Sequence, residues 1–345
     1  MCLSSAAWAD TLRVATYHVG LNRKGPGLLL RDILKREEQV MAVAQVIARN
    51  APDVLLLTRF DHDTRMVAAH AFRDLLSEQE MHYPHLFARP PNSSVATGLD
   101  LDGDDRLGEA EDSQGYGAFT GQGGMLILSR LPIDQEAVRD FSSFLWRELP
   151  DHAMPPTMSQ EVQARLRLSS VGHWVVPVET ETGPVALLAF HAQTPAFDGP
   201  EDRNGRRNSD QIRFWQHYLD GEFGPPPKRF VLLGTFNVDP KDGDGRRDTL
   251  QALLADPRLQ DPMPQSVGAR AAASPGHLGD PALDTVDWKE PEPGNLRVDY
   301  ALPSKGLSAV ASGVDWPAPD GAGHDVVVEA SPHRLVWIEL EIGGS

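Results

Sequence analysis

One acidic stretch of this sequence has the residue types and spacing of a metal site. Asp100, Asp102, Asp104 and Glu111 occupy the first, third, fifth and twelfth positions of a calcium-binding loop, where carboxylate oxygens would surround a hard cation. The sixth position, at which such loops need glycine for a sharp turn, is Asp105. This departure favours a solvated acidic loop, with a calcium site as the alternative.

Short apolar segments alternate with helical patterns along the chain. Strands are predicted at 12–19, 53–57, 125–129, 174–177, 185–190, 230–234, 298–302 and 335–340, and helices at 37–49, 67–76, 208–219 and 247–254. A polar loop rich in glycine and proline covers about 89–121. Mixed strands with helices between them predict two sheets packed face to face with helices outside. Because no repeat or linker interrupts the pattern, we predict a single domain over residues 10–345.

Seven segments of the chain together form a recognisable pattern. They are 13–19, 52–61, 121–130, 190–191, 232–237, 296–300 and 331–334. Taken in order, these segments resemble the endonuclease/exonuclease/phosphatase superfamily across essentially the whole chain. The resemblance implies an α/β (α+β) four-layer sandwich of the deoxyribonuclease-like type, in which two packed mixed β-sheets are flanked by helices. It also implies an active site at the strand ends between the sheets.

The resemblance implies a metal-dependent phosphoric ester hydrolase, whose chemistry makes four demands on the site. A hard divalent cation, usually magnesium, stabilises the leaving oxygen, and a carboxylate orients the attacking water. An Asn amide positions the phosphate, and a His held by an Asp donates to the phosphate oxygen. Residues at the family's positions are the catalytic candidates. They are His191, Asn237, Asp299 and His333.

Four positions depart from the family's pattern. His18 stands in place of Asn after the first strand, and Arg59 in place of the metal-binding Glu after the second. Thr235 replaces the Asp of the Gly-Asp-x-Asn motif, and Pro332 replaces the Asp of Ser-Asp-His. At about 4 Å, each unit-charge pair is worth about 4 kcal/mol at an effective dielectric near 20, so Arg59 would repel a dication. We therefore expect the family's magnesium site to be lost.

The same departures suggest an anion-binding site, and two other interpretations of these residues stay open. Arg59, His18 and Asn237 are the candidates for binding a phosphate group, with Arg59 as a fixed cation. In the alternative, Arg59 turns to solvent and His18 or Asp61 holds a different metal, such as zinc or manganese on an imidazole. The retained catalytic candidates could also persist only as packing and hydrogen-bond partners, and the Asp61-His62-Asp63 cluster is interpreted as structural.

The charge balance bears on the partner. With 32 Lys and Arg against 49 Asp and Glu, the formal net charge is −17, whereas binding to a nucleic-acid backbone needs a basic face. We therefore expect a small phosphate-containing ligand rather than nucleic acid as the main partner, although an acidic surface also serves solubility alone. No run of 18 apolar residues occurs, so no membrane-spanning helix is predicted.

The first residues suggest export. Ala7-Trp8-Ala9 has the small-x-small form of a secretory cleavage site, so residues 1–9 are predicted to be the remnant of a signal peptide and the protein to be periplasmic or secreted. Cys2 is the single cysteine, which excludes a disulfide framework. A cytoplasmic protein with an alanine-rich start is the alternative.

Three functions follow from this sequence. The leading hypothesis is a catalytically degenerate family member, a pseudoenzyme, with a phosphate-binding cleft. The second is an active metal-dependent phosphoesterase, cleaving phosphodiesters or phosphomonoesters, with a rearranged site in which His191 and His333 donate protons. The third is a non-catalytic envelope protein that binds a partner and has an empty cleft.

Overall fold

The computed structural model describes residues 11–343, in which the strands form two β-sheets of six and five strands. The strands are β1 (Thr11–Leu21), β2 (Val54–Phe60), β3 (His85–Phe87), β4 (Gly124–Ser129), β5 (Arg139–Asp140), β6 (His173–Val178), β7 (Val185–His191), β8 (Phe230–Thr235), β9 (Asp299–Pro303), β10 (Ser308–Val314) and β11 (Val336–Glu341). The first sheet has the order β10-β11-β1-β2-β4-β3 and the second the order β5-β6-β7-β8-β9. The predicted signal-peptide remnant at 1–9 lies outside the described residues.

Helices cover the outer faces of both sheets. They are α1 (Leu28–Leu34), α2 (Glu38–Asn50), α3 (Val67–Ser77), α4 (Gln160–Arg165), α5 (Arg203–Leu219), α6 (Arg247–Leu254), α7 (Val267–Ala271) and α8 (His324–Ala330), with single 3₁₀ turns at Trp146–Glu148 and Pro281–Leu283. The two longest, α2 and α5, are amphipathic and each buries one face against a sheet.

Three apolar layers hold these elements together. A central core lies between the sheets, where Val14 and Leu56 of the first sheet meet Leu187 and Leu233 of the second. A second core joins the outer face of the first sheet to α2, α3 and α8, and a third joins the outer face of the second sheet to α5 and α6. The predicted four-layer sandwich of two mixed sheets flanked by helices is therefore confirmed.

The strand directions bring one set of strand ends together. β1 pairs with β2 in parallel, and β7 pairs with β8 in parallel, so all four strands end at the same edge of the sandwich. β9 and β11 are antiparallel to their neighbours, so they begin at that edge. Residues from six separate segments of the sequence therefore meet there.

The elements that the sequence did not predict are short or exposed. β10 presents mostly exposed small residues, and α1 and α8 span seven residues each, too few to show a helical apolar period. The helix predicted at 208–219 begins earlier, at Arg203. The prediction missed its first turns because they are polar, although Gly205 and Arg207 are buried there. No helix in residues 11–343 is long and apolar enough to span a lipid bilayer.

Candidate active site

Polar side chains from six segments gather at the shared edge of the two sheets. His18 lies in β1, Arg59 in β2 and His191 at the end of β7, and Asn237 follows β8 by two residues. Asp299 opens β9, and His333 precedes β11. We call these six residues the strand-end site. The structure thus places every catalytic and phosphate-binding candidate of the sequence at this edge, whereas the calcium-loop candidates lie elsewhere.

One network of hydrogen bonds fixes His333. Its Nδ1 lies 2.7 Å from Asp299 Oδ2, and the same carboxylate accepts from Thr235 Oγ1 at 2.7 Å and from Thr285 Oγ1 at 3.1 Å. Thr235 Oγ1 also lies 2.9 Å from Thr58 Oγ1, which joins the two sheets. Because Nδ1 of neutral His333 must donate to the carboxylate, its Nε2 carries the lone pair.

Three imidazole rings form a compact cluster beside this network. The His18 ring is stacked on the His333 ring, with centroids 3.8 Å apart and planes 16° from parallel, and it meets the His191 ring edge-on at 5.6 Å. The Nδ1 atoms of His18 and His191 are buried without a hydrogen-bond partner in the described structure. Native proteins seldom leave such atoms unsatisfied, so the cluster has unused capacity for a polar ligand.

The surroundings keep two of these rings neutral. Burial lowers the pKa of His18 well below its usual range, and the neighbouring His333, His191 and Arg59 lower it further. Burial also lowers the pKa of His191 well below its usual range, with Arg59 and His333 adding to the effect. A proton on either ring would be a second positive charge in a partly desolvated place next to Arg59.

Arg59 enters the site from a bulge in β2. Its backbone is in the left-handed region (φ 59°), and the pairing of β2 with β4 shifts register between Thr58 and Phe60. A bulge re-aims the side chain that it carries. Here the side chain passes against Gly123, where a Cβ would lie 3.1 Å from Arg59 Nη1, so glycine makes room for the guanidinium.

The Arg59 guanidinium has no hydrogen bond or salt bridge to any of residues 11–343. Burial lowers its pKa, and the nearby Asp61 carboxylate opposes that effect without forming an ion pair. Asp61 instead accepts the backbone N–H groups of Gly123 and Arg23, both at 2.8 Å. The site therefore holds a partly buried cation that forms no ion pair with any of the described residues.

Sequence and structure comparisons agree on the relatives of this chain. The sequence profile of the Endonuclease/Exonuclease/phosphatase family matches residues 28–333. The chain belongs to this family. A search of curated proteins found no significant match.

Solved structures of the endonuclease/exonuclease/phosphatase type share the fold. An endonuclease/exonuclease/phosphatase from Beutenbergia cavernae is 20% identical with a TM-score of 0.58, and the match covers 97% of this chain and 72% of that one. A family protein from Leptotrichia buccalis is 16% identical with a TM-score of 0.53, over 96% of this chain and 100% of that one. Sphingomyelinase C from Streptomyces griseocarneus is 17% identical with a TM-score of 0.50, over 95% and 99%.

Members of the endonuclease/exonuclease/phosphatase family generally depend on a divalent metal, but the donors of the strand-end site do not fit magnesium. Both oxygens of Asp299 accept hydrogen bonds from side chains, and the Arg59 guanidinium adds a positive charge beside His18 and His191. In residues 11–343, no three His, Cys, Asp or Glu ligand atoms of this site lie within 4.8 Å of one another. Magnesium requires oxygen ligands in near-octahedral geometry, which these residues do not offer.

Outside the strand-end site, the acidic loop is only partly assembled. Asp100, Asp102 and Asp104 bring carboxylate oxygens within 4.8 Å of one another, but Glu111 is not part of that group. Asp100 accepts the backbone N–H groups of Gly103 and Asp105, and Asp105 takes the left-handed backbone (φ 66°) usually given to glycine. The nearby Asp112 also folds this loop, by accepting the N–H groups of Leu101 and Gly108.

Sequence reasoning missed several residues that build the strand-end site. Thr58 and Thr285 bond to the network around Asp299, and Ser331 Oγ donates to the His18 carbonyl at 2.7 Å while accepting the His333 N–H. Trp288 meets the His333 ring edge-on at 5.5 Å. Thr58 could have been found from its place directly before Arg59. Thr285 and Trp288 lie in a long irregular segment that gives no local signal.

Proposed function

We propose that this protein is a non-hydrolytic member of the endonuclease/exonuclease/phosphatase family that binds a phosphate-type anion at the strand-end site. The observation that carries the proposal is the partly buried Arg59 guanidinium, which has no partner among the described residues and stands beside a cluster of imidazoles. An anion would supply the missing opposite charge. Arg59 would thus take the electrostatic place of the metal without activating a water molecule.

The physical argument is one of charge. A buried cation without a partner is costly, and a bidentate contact between arginine and a phosphate oxyanion is among the strongest polar contacts in proteins. No carboxylate of the strand-end site is free to deprotonate water, because Asp299 is held by Thr235, Thr285 and His333. The site therefore offers binding without a free carboxylate to serve as the base in hydrolysis.

Binding tests the role of Arg59. Isothermal titration with sulfate and with phosphate is expected to show a single site, and Arg59→Gln should weaken the affinity about tenfold or more through loss of a charged contact. The matched control is Arg36→Gln, since Arg36 is exposed and is paired with Glu78 on the helical face. Equal affinities of wild type and Arg59→Gln would refute the proposal.

One observation favours the second candidate, an active phosphoesterase. The Asp299 carboxylate orients His333 through a 2.7 Å contact, which is the arrangement of a general acid or base. With a metal held by other residues, His191 and His333 could then donate protons to a leaving group.

Hydrolysis separates the two candidates. A phosphodiester and a phosphomonoester are offered with magnesium, manganese, calcium or zinc to the wild type and to a revertant carrying His18→Asn, Arg59→Glu, Thr235→Asp and Pro332→Asp. An inert wild type beside an active revertant supports the pseudoenzyme proposal. Chelator-sensitive turnover by the wild type establishes the phosphoesterase instead.

The proposed ligand is a small phosphate-containing molecule rather than nucleic acid. The formal net charge of −17 supports this choice, because a protein that grips a polyphosphate backbone needs an extended basic surface. One partly buried arginine at the site suits one phosphate group. Export to the periplasm or outside the cell remains part of the proposal, supported by Ala7-Trp8-Ala9 alone.

A further inference from the structure

The histidine cluster consists of His18, His191 and His333. The proposed anion-binding function depends on Arg59 and uses these rings only as its neighbours. The His18 ring lies 3.8 Å from the His333 ring and 5.6 Å from the His191 ring by their centroids, and the Nδ1 atoms of His18 and His191 are buried without a partner in the described structure. One imidazole in contact with two others beside an arginine forms an arrangement whose total charge can change by whole units.

We propose that the strand-end site takes up its anion together with a proton on the histidine cluster, and that it therefore selects doubly charged tetrahedral groups over singly charged ones. The inference rests on the proposed anion-binding function and adds the class of ligand. The doubly charged group would be a terminal phosphate. The singly charged alternative is the phosphodiester.

The charged groups that face the cluster explain why it is neutral without a ligand. Arg59 faces it from β2, and Asp299 faces it from β9. The Asp299 carboxylate is hydrogen-bonded to His333 and to neither His18 nor His191. For both of those rings burial and Arg59 lower the pKa, so added protons are rejected.

A bound dianion reverses this balance. Arg59 compensates one of its two charges, and the remaining negative charge then lies beside rings that can each accept a proton. An opposite charge within about 4–6 Å favours the protonated imidazole, so the proton enters from solvent as the anion binds. A monoanion is compensated by Arg59 alone and leaves no charge to draw a proton.

The hydrogen-bond donors of the strand-end site also match the number of non-bridging oxygens in a terminal phosphate. A terminal phosphate has three non-bridging oxygens, and the site can offer the guanidinium together with N–H groups of protonated imidazoles. A diester has two such oxygens and one charge. The orphan nitrogens of His18 and His191 would then have a use that the free protein does not give them.

Titration calorimetry with two anions tests the proposal. Sulfate is the dianion, because it keeps both charges across the range in which histidine titrates, and dimethyl phosphate is the monoanion. Binding is measured between about pH 5 and 8 in buffers of different ionisation enthalpy, which gives the number of protons taken up. We expect about one proton per sulfate and an affinity that rises by up to about tenfold for each unit of falling pH.

Variants assign the protons. His191→Gln and His18→Gln are each expected to reduce the number of protons taken up with sulfate and to flatten the pH dependence of the affinity for sulfate. His70→Gln, at an exposed position on α3, is the control and should leave both unchanged. Dimethyl phosphate should bind more weakly than sulfate and without proton uptake.

The outcomes separate this inference from the function on which it rests. Sulfate binding that requires Arg59 but takes up no proton, or equal affinity for the two anions, overturns the inference and leaves the anion-binding function standing. Failure of both anions to bind overturns the function and the inference together.

Discussion

At the residue scale, Thr235 links the two sheets beside Asp299. Its hydroxyl donates to Asp299 Oδ1 and lies 2.9 Å from the Thr58 hydroxyl. A neutral side chain therefore carries this hydrogen-bonding link. The Asp299 carboxylate accepts hydrogen bonds from the hydroxyl groups of Thr235 and Thr285 and is bonded to His333.

Replacing Thr235 tests this link. Thr235→Val keeps the shape and removes the hydroxyl, which leaves Thr58 and one oxygen of Asp299 without a partner. We expect the free energy of unfolding to fall by about 1–3 kcal/mol, the cost of unsatisfied buried polar groups. Urea denaturation at pH 7 measures it, with Thr64→Val, an exposed position, as the control. A loss no larger than that of the control would contradict this account.

At the element scale, the pairing of β7 with β8 sets the geometry of the site. The parallel register places Phe190 opposite Gly234 and His191 opposite Thr235. Gly234 has φ 141°, and a Cβ on it would lie 1.9 Å from the Phe190 carbonyl oxygen. Only glycine allows the two strands to approach here, so the glycine of the Leu-Leu-Gly-Thr segment is a structural requirement.

Gly234→Ala should therefore separate the two strands. We expect a loss of about 3 kcal/mol or more, because the clash is with backbone and the left-handed side of the map is strained for alanine. Thermal unfolding followed by circular dichroism measures the change. Gly25→Ala is the control, since its Cβ would meet only ordinary contacts, the nearest at 3.6 Å. Similar melting temperatures for the two variants would show that β7 and β8 can shift apart freely.

At the scale of the whole molecule, buried titratable groups make stability depend on pH in opposite directions. Burial lowers the pKa of His173 to about 4, so the stabilising neutral form is lost as the pH falls from the ordinary histidine value toward 4. Burial, together with the carboxylates of Asp239, Asp242, Asp280 and Glu290, raises the pKa of Asp284 from 3.8 to about 7. The charged form of Asp284 therefore costs stability above pH 7, and that cost is relieved as the pH falls toward 4.

Asp284→Asn isolates one of these effects. The variant should be more stable than wild type at pH 8 by about 1–2 kcal/mol, after allowance for solvent screening of a partly accessible carboxylate. The difference should shrink as the pH falls through 7 and become small near 4, below which aspartate is protonated in both states. Denaturation series at pH 4, 6 and 8 measure it. A difference that stays constant with pH would show that Asp284 titrates normally.

Much of the fold follows from local sequence. The buried strands β2, β4, β7 and β8 are nearly continuous apolar runs bounded by polar or turn residues, and their helical neighbours show a clear apolar period. β10 escaped prediction because an edge strand with an exposed face carries no alternating pattern. The signal that decided the family was the order of seven segments rather than any one of them, and residues 28–333 match the family profile.

The sequence alone determined which chemical groups the site contains, since residue types are fixed before folding. The resemblance implies that Arg59, His18, Thr235 and Pro332 stand where the family has other residue types. The tertiary structure decided how these groups compensate one another. Only folding could stack His18 on His333, bond Thr235 to Asp299 and leave Arg59 without a partner among the described residues. The physical reason is distance: charge and hydrogen bonding act over a few ångströms, whereas these residues come from segments far apart in the sequence, such as Ser331 and His18, which are hydrogen-bonded across 313 positions.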